Sequence, residues 1–270
     1  MSATTATSGP TTIRARRAGF LADLTSVAGR ALRSIPREPE SVIPALIVPV
    51  FFFVVNIGSL QDLAEQIPGV DFKAFQLPVA IVFAVTGVSR AGTLVTDIQS
   101  GYFDRLLMTP VSRNSLLLGL MVADFALVVA LSIPVVLLGL AVGVTFETGV
   151  VGMLAFLLLA GAWGVVFTGF PYAIALKTGS PAAVNSSFIL FFPFAFLTTS
   201  FLPREALTGW LSTVAGYNPV TYLLEALRSL VSIGWDGRSI LRGALAIAAV
   251  GAVSMSLAFA ALRGRVSQGG

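Results

Sequence analysis

The sequence predicts an all-α membrane protein: six transmembrane helices, an N-terminal amphipathic interfacial helix, and an outer re-entrant helical pair between the fifth and sixth spans. Three observations lead there. Charged residues make up 11% of the chain and apolar residues 56%, whereas soluble domains carry about 25% charge. Mean hydropathy is +0.89. Apolar runs recur that can cross roughly 30 Å of hydrocarbon at about 1.5 Å per residue. Few of the segments between them are long, and 97–113, Asp-Ile-Gln-Ser-Gly-Tyr-Phe-Asp-Arg-Leu-Leu-Met-Thr-Pro-Val-Ser-Arg, carries the most information.

Residues 1–17 are rich in Ser, Thr and Ala and are expected to form a disordered cytosolic tail. They lack the apolar core of a cleavable signal, and Asp23 and Arg30 interrupt the next stretch of chain. From 18 to 35, Phe20, Leu24, Val27, Ala31 and Ile35 recur at helical spacing, with Arg30 and Arg33 off that face. This predicts an amphipathic helix lying on the inner membrane surface, against the alternative of a solvated helix.

The spans are expected near Val42–Leu60, Leu77–Val95, Leu116–Val144, Val150–Leu176, Ala182–Leu202 and Ile240–Leu262, with Pro193 interrupting the fifth. With both termini inside, twelve of the 17 Lys and Arg residues fall on the cytosolic side. The positive-inside rule favours that orientation, and an even number of spans requires the termini to share a side. One membrane domain over 18–265 and a second cytosolic tail at 266–270 complete the division, in the cell membrane. Between the fifth and sixth spans, Asn218-Pro219 supplies a cap and a first-turn proline for a helix over Val220–Ile233. Glu225 and Arg228 lie three apart and can pair on one face.

There is no Cys and no His, which excludes disulfides, imidazole or thiolate metal sites and histidine-based triads. Neither Lys73 nor Lys177 ends a phosphate-binding loop. No enzyme site is legible, and no cofactor is expected in this chain. The net charge of +4 is read as membrane orientation, so no nucleic-acid partner is expected. Membrane lipid is the expected surrounding partner.

Two intramembrane charges stand out. Arg90 lies about 10 Å and Asp124 about 13 Å from the inner boundary, on antiparallel neighbouring spans. A pair between them would relieve the cost of either charge alone; snorkelling of Arg90 is the competing reading. Asn56, Thr86, Asn185, Ser186, Phe192 and Thr198 are candidates to line a path for amphipathic cargo. The alternatives are hydrogen bonding between helices and a lipid-facing aromatic belt.

Within this plan, Asp97-x3-Gly101-x2-Asp104-Arg105-Leu106-x3-Pro110-x-Ser112-Arg113 and Asn218-Pro219-x-Thr221-Tyr222-x2-Glu225-Ala226-x-Arg228 resemble the type-2 ABC exporter permeases. The Asp-Arg-Leu variant is similar to the daunorubicin-resistance-type permeases of drug and lipid exporters. Many relatives have an acidic residue near Gln99, where this chain has an amide.

The resemblance implies a transmembrane permease subunit, itself without ATPase activity. It would pair with a second permease subunit, same or related, and with separate ABC ATPase subunits that hold ATP and Mg. The segment Ser100–Arg113 would then be a cytosolic coupling helix seated on the ATPase. Gly101, Tyr102, Phe103, Asp104, Arg105, Leu106, Leu107, Thr109, Pro110 and Arg113 would make or support the contact, and the amphipathic helix would add a second one. The implied function is export of a drug, lipid or other amphipathic molecule, in keeping with antibiotic resistance. A polysaccharide or glycolipid exporter is the nearest alternative. An ion-coupled carrier is the alternative from another class, with Asp124 its one candidate coupling charge.

Overall fold

The computed structural model describes residues 19–35, 39–64, 71–109, 111–189, 191–202 and 204–268. The expected tail 1–17 and Pro110 of the predicted coupling segment lie outside the described residues. Among the described residues the chain is helical, with no strand.

Helix α1 covers Phe20–Ser34 and α2 covers Pro39–Ala64. The second span is two helices, α3 at Phe72–Thr86 and α4 at Ala91–Gln99, separated by a break at 87–90. A short α5, Tyr102–Leu107, precedes α6 at Arg113–Ala141 and α7 at Gly149–Thr178. Then come α8 at Pro181–Ile189 and α9 at Phe191–Phe196. Helices α10 at Gly209–Tyr217 and α11 at Pro219–Arg228 lead through a wide turn at Ser229–Ile233 into α12 at Gly237–Gln268. Helix α12 thus continues through 266–268 of the expected C-terminal tail.

Among the described residues, five stretches are long and apolar enough to cross a membrane: Ile43–Gln61, Phe72–Gln99, Arg113–Ala141, Gly149–Thr178 and Gly237–Ser267. The predicted fifth span, Ala182–Leu202, is not one such helix. Helix α9 stops at Phe196, and the hydroxyls of Thr198 and Ser200 both donate to the Ala195 carbonyl, at 2.7 and 2.9 Å. Side-chain donors take over a helix-terminal acceptor there, and the backbone turns away.

The bundle is held at close approaches made possible by small residues. Helix α12 packs most extensively on α7. A Cβ at Gly169 of α7 would sit 2.7 Å from the Ser254 backbone of α12, and one at Gly251 would sit 2.9 Å from Val166. The Ser254 hydroxyl donates to the Val166 carbonyl at the same crossing. Lipid tails are as apolar as leucine, so such backbone approach and interhelical hydrogen bonding replace the hydrophobic drive of a soluble core.

Helix α11 is buried: Leu223, Leu224 and Leu227 are fully enclosed, with α12 and α3 packed against the helix. Glu225 faces Arg204 at 3.6 Å. The pairing expected between Glu225 and Arg228 gives way because Arg228 turns to the other side. Its guanidinium lies 3.5 Å above the Phe75 ring and donates to the Thr199 carbonyl at 2.8 Å. Asn218 joins two helix ends. Its Oδ1 accepts from the Val220 amide at 3.0 Å, and its Nδ2 donates to the carbonyls of Phe194 and Leu197 at 2.7 and 2.9 Å.

Candidate functional site: the segment between α4 and α6 and the cavity beside it

Gly101 separates α4 from α5 with φ +70°, a left-handed conformation that favours glycine. It turns the chain so that Phe103 points back into the bundle, against Leu94, Leu117, Leu120, Leu176 and Leu262. Phe103 is buried, while Asp104, Arg105, Met108 and Thr109 are exposed, as is Arg113 at the start of α6. Tyr102, Leu106 and Leu107 are half-buried. The segment is therefore anchored by one aromatic ring and presents a polar outer edge of both charge signs.

Both flanks of this segment are tied to α1. On the entry side Arg30 pairs with Asp97 at 2.9 Å, and its guanidinium sits 4.9 Å from the centre of the Tyr102 ring. On the exit side the Asp23 carboxylate accepts the Ser112 amide at 3.0 Å. Asp23 is buried at the N-terminal end of α6, where free amides and the helix dipole favour an anion. Between these ties α1 lies in the groove over Gly119 of α6, where an added Cβ would meet Val27 at 2.7 Å. The buried side of α1 runs through Asp23, Ala28 and Ala31, so Phe20 of the predicted face is exposed instead. A third tie joins α4 to the α7–α8 turn: the Gln99 amide donates to the Gly179 carbonyl at 2.9 Å. A carboxylate at that position could not make this bond.

Arg90 and Asp124 come together at the break in the second span. The Arg90 backbone amide donates to Asp124 Oδ1 at 3.0 Å, and the Tyr172 hydroxyl donates to Oδ2 at 2.7 Å. The Arg90 guanidinium Nη2 donates to the hydroxyls of Ser34 and Thr93. The carboxylate thus satisfies a donor freed where α3 stops. A broken backbone at membrane depth is tolerated only where protein or a water-filled cavity receives its polar groups.

A cavity of about 470 Å³ opens at this break. Ser89, Arg90, Thr93, Thr96 and Asn185 form a polar arc of its wall, and Ile35, Val88, Leu127, Leu131, Val184 and Phe188 an apolar one. Of the candidate path residues, Asn185 lines it. Thr86 lies just behind, accepting from Trp163 Nε1 at 3.0 Å. Ser186 and Phe192 are exposed on α8 and α9. Asn56 faces a separate crevice with Gln76, and Thr198 is buried and hydrogen-bonded at the end of α9. Sequence reasoning did not foresee the contacts of Asp23, Arg30, Gln99 and Tyr172. A buried acid on an amphipathic helix is the one legible signal for Asp23; the other three carry none without the fold.

A family model described as "ABC-2 type transporter" matches residues 23–231. The chain is 27% identical over 212 residues to the daunorubicin resistance ABC transporter permease protein DrrB1 of Streptomyces coeruleorubidus, covering 75% of this chain and 72% of that protein. It is 24% identical over 217 residues to the probable doxorubicin resistance ABC transporter permease protein DrrC of Mycobacterium tuberculosis H37Rv, covering 80% and 79%. A putative transport permease, ycf38, of Cyanophora paradoxa is 25% identical over 224 residues, covering 79% and 75%.

Proposed function

The chain belongs to the ABC-2 type transporter family, and from that premise we propose that it is the membrane subunit of an ATP-driven exporter of amphipathic molecules. One observation carries the reading. A short helix with an exposed charged edge is fastened on both flanks to a second amphipathic helix. A lever transmits force only if its ends are tied, and here Arg30–Asp97 and Asp23–Ser112 are the ties. In this reading α5 seats on a separate ATPase subunit that binds ATP and Mg, and α1 lies along the inner membrane surface with Phe20 and Leu21 turned outward. Both termini lie in the cytosol. Helices α8 and α9 with the irregular stretch after them make the sixth crossing, which gives the even count this orientation requires.

A second permease subunit covers the apolar side of α2, where Ile43, Ile47, Phe51 and Val54 are exposed. The drug-resistance names of two relatives favour a drug cargo over a polysaccharide. The test is reconstitution with neighbouring ATPase subunits. ATP-dependent efflux of an amphipathic probe is expected, and the double reversal Asp104→Arg with Arg105→Asp is expected to abolish ATPase binding. Assembly and efflux that survive that reversal would remove the coupling role.

A further inference from the structure

We propose that a crevice between α11 and α12, at the end of the bundle away from α5, holds an anionic phospholipid by its headgroup phosphate. The inference goes beyond the exporter reading, in which this end faces the outer leaflet. The crevice encloses about 500 Å³. Three features meet there, and the first is depth. Near its C-terminal end α12 brings Leu262 to Phe103 of α5. Arg242, which lines the crevice, comes 20 residues earlier on the same helix. That is about 30 Å along the axis, one thickness of hydrocarbon. Tyr217 in the crevice wall and Trp235 just before α12 are exposed, as aromatic side chains are where they gather at a membrane–water interface.

The second feature is charge. Arg242 is exposed and has no hydrogen bond or ion pair with any described residue. Arg204 stands at the same rim; Glu225 engages it at 3.6 Å, so Arg204 adds to the local field and Arg242 makes the direct contact. Glu225 does not line the crevice. The Tyr222 hydroxyl is spent on the Gly216 carbonyl. A guanidinium presents a planar fork of donors that matches phosphate oxygens.

The third feature separates a lipid from a soluble anion. Arg242, Leu245, Ala246 and Ala249 all line the crevice and recur at i, i+3, i+4 and i+7, so they share one face of α12. Leu245 and Ala249 lie about 4 and 10 Å further into the span than Arg242, and both are exposed. The two alanines leave a trough in which an acyl chain can lie while its head stays at the arginine. Helix α11 packs against α12 alongside it, where a Cβ on Gly243 would sit 2.5 Å from Ala226, which gives the trough a fixed wall. Basic pockets between membrane helices recognise anionic lipid heads in this way.

The test is native mass spectrometry of the purified permease in neutral detergent with no ATPase subunit present. The probes are dioleoyl phosphatidylglycerol, dioleoyl phosphatidylcholine and glycerol 3-phosphate. One phosphatidylglycerol per chain is expected to bind about fivefold more tightly than phosphatidylcholine, as one basic residue at a membrane surface implies. Glycerol 3-phosphate at equal concentration is not expected to displace it. Arg242→Gln should erase the preference and Arg242→Lys should keep most of it. Ala249→Phe should fill the trough and weaken both lipids. Melting temperatures without added lipid should match the parent chain in Arg242→Gln, which loses no polar partner among the described residues.

Equal binding of the two lipids overturns the anionic class. A preference that survives Arg242→Gln, or lipid binding unchanged in Ala249→Phe, overturns the location. Displacement by glycerol 3-phosphate overturns the need for an acyl chain. Conversion of a dimer to a monomer by Ala249→Phe, with lipid binding unchanged, would make the trough a contact between copies of the chain and overturn the lipid. A chain that fails to couple to any ATPase would still hold the lipid here, so failure of the exporter reading stays distinguishable.

Discussion

The Asp23 carboxylate accepts the backbone amide of Ser112 at 3.0 Å across 89 residues of sequence. Asp23→Ala removes the acceptor from a half-buried amide at the head of α6, a loss of about 1–2 kcal/mol. Asp23→Asn keeps an acceptor and should lose less than half of that. Hydrogen exchange at Ser112 measures it, with faster exchange expected in the alanine variant. In the reconstituted complex the alanine variant is expected to hydrolyse more ATP per molecule exported.

Arg30 and Asp97 form the matching tie, but Arg30 is 43% exposed and Asp97 16%. Such pairs are worth at most about 1 kcal/mol in water and weaken with salt. A double-mutant cycle with Arg30→Gln and Asp97→Asn should give a coupling of about 0.5 kcal/mol in thermal melts at low salt. That coupling is expected to shrink at high salt, whereas the Asp23 effect should not.

Asp124 receives two buried donors. Asp124→Leu leaves both without an acceptor and is expected to cost about 3 kcal/mol or more. Asp124→Asn can accept from Arg90 through its oxygen and donate to the Tyr172 oxygen, so about 1 kcal/mol is expected. Equal melting temperatures for the two variants in nanodiscs would count against these contacts.

Gly169→Ala forces a methyl to 2.7 Å from the Ser254 backbone. Overpacking of that kind costs about 1–3 kcal/mol. Gly58→Ala in α2, where an added Cβ meets nothing within 4 Å, should be neutral or stabilising by up to about 1 kcal/mol. Thermal unfolding of the two variants checks the contrast.

The Ser239 hydroxyl, with the amide of Arg238, holds the Asp236 carboxyl below its ordinary 3.8. A depressed folded value means a contribution present above 3.8 and lost as pH falls below it. The start of α12 should fray only in strong acid. Ser239→Ala should move the onset of fast exchange at the Ile240 amide to higher pH.

Much of the architecture is legible in the sequence because its causes are local. The apolar runs, Asn218-Pro219 as a helix start and Gly101 as a turn each act through a few neighbouring residues. Pro193 marks the fifth span as interrupted, but Thr198 reads as a path-lining candidate until its hydroxyl and that of Ser200 are seen on the Ala195 carbonyl. Helical rise alone brings Arg90 and Asp124 to similar depth, but the backbone contact between them depends on the break at 87–90, which Gly87 and Ser89 alone do not announce. The ties of Asp23, Arg30 and Gln99 reach across 89, 67 and 80 residues, and no local pattern encodes a partner that far away.

Asn218 has a consequence for how such a molecule can open. One amide side chain is riveted to the tail of α9 and the head of α11, so those two helices travel as a single plate. A gate on that face cannot hinge between them. Bending is expected instead at the plate's outer rim, at Gly209 and Gly234, both at positive φ, a conformation that favours glycine.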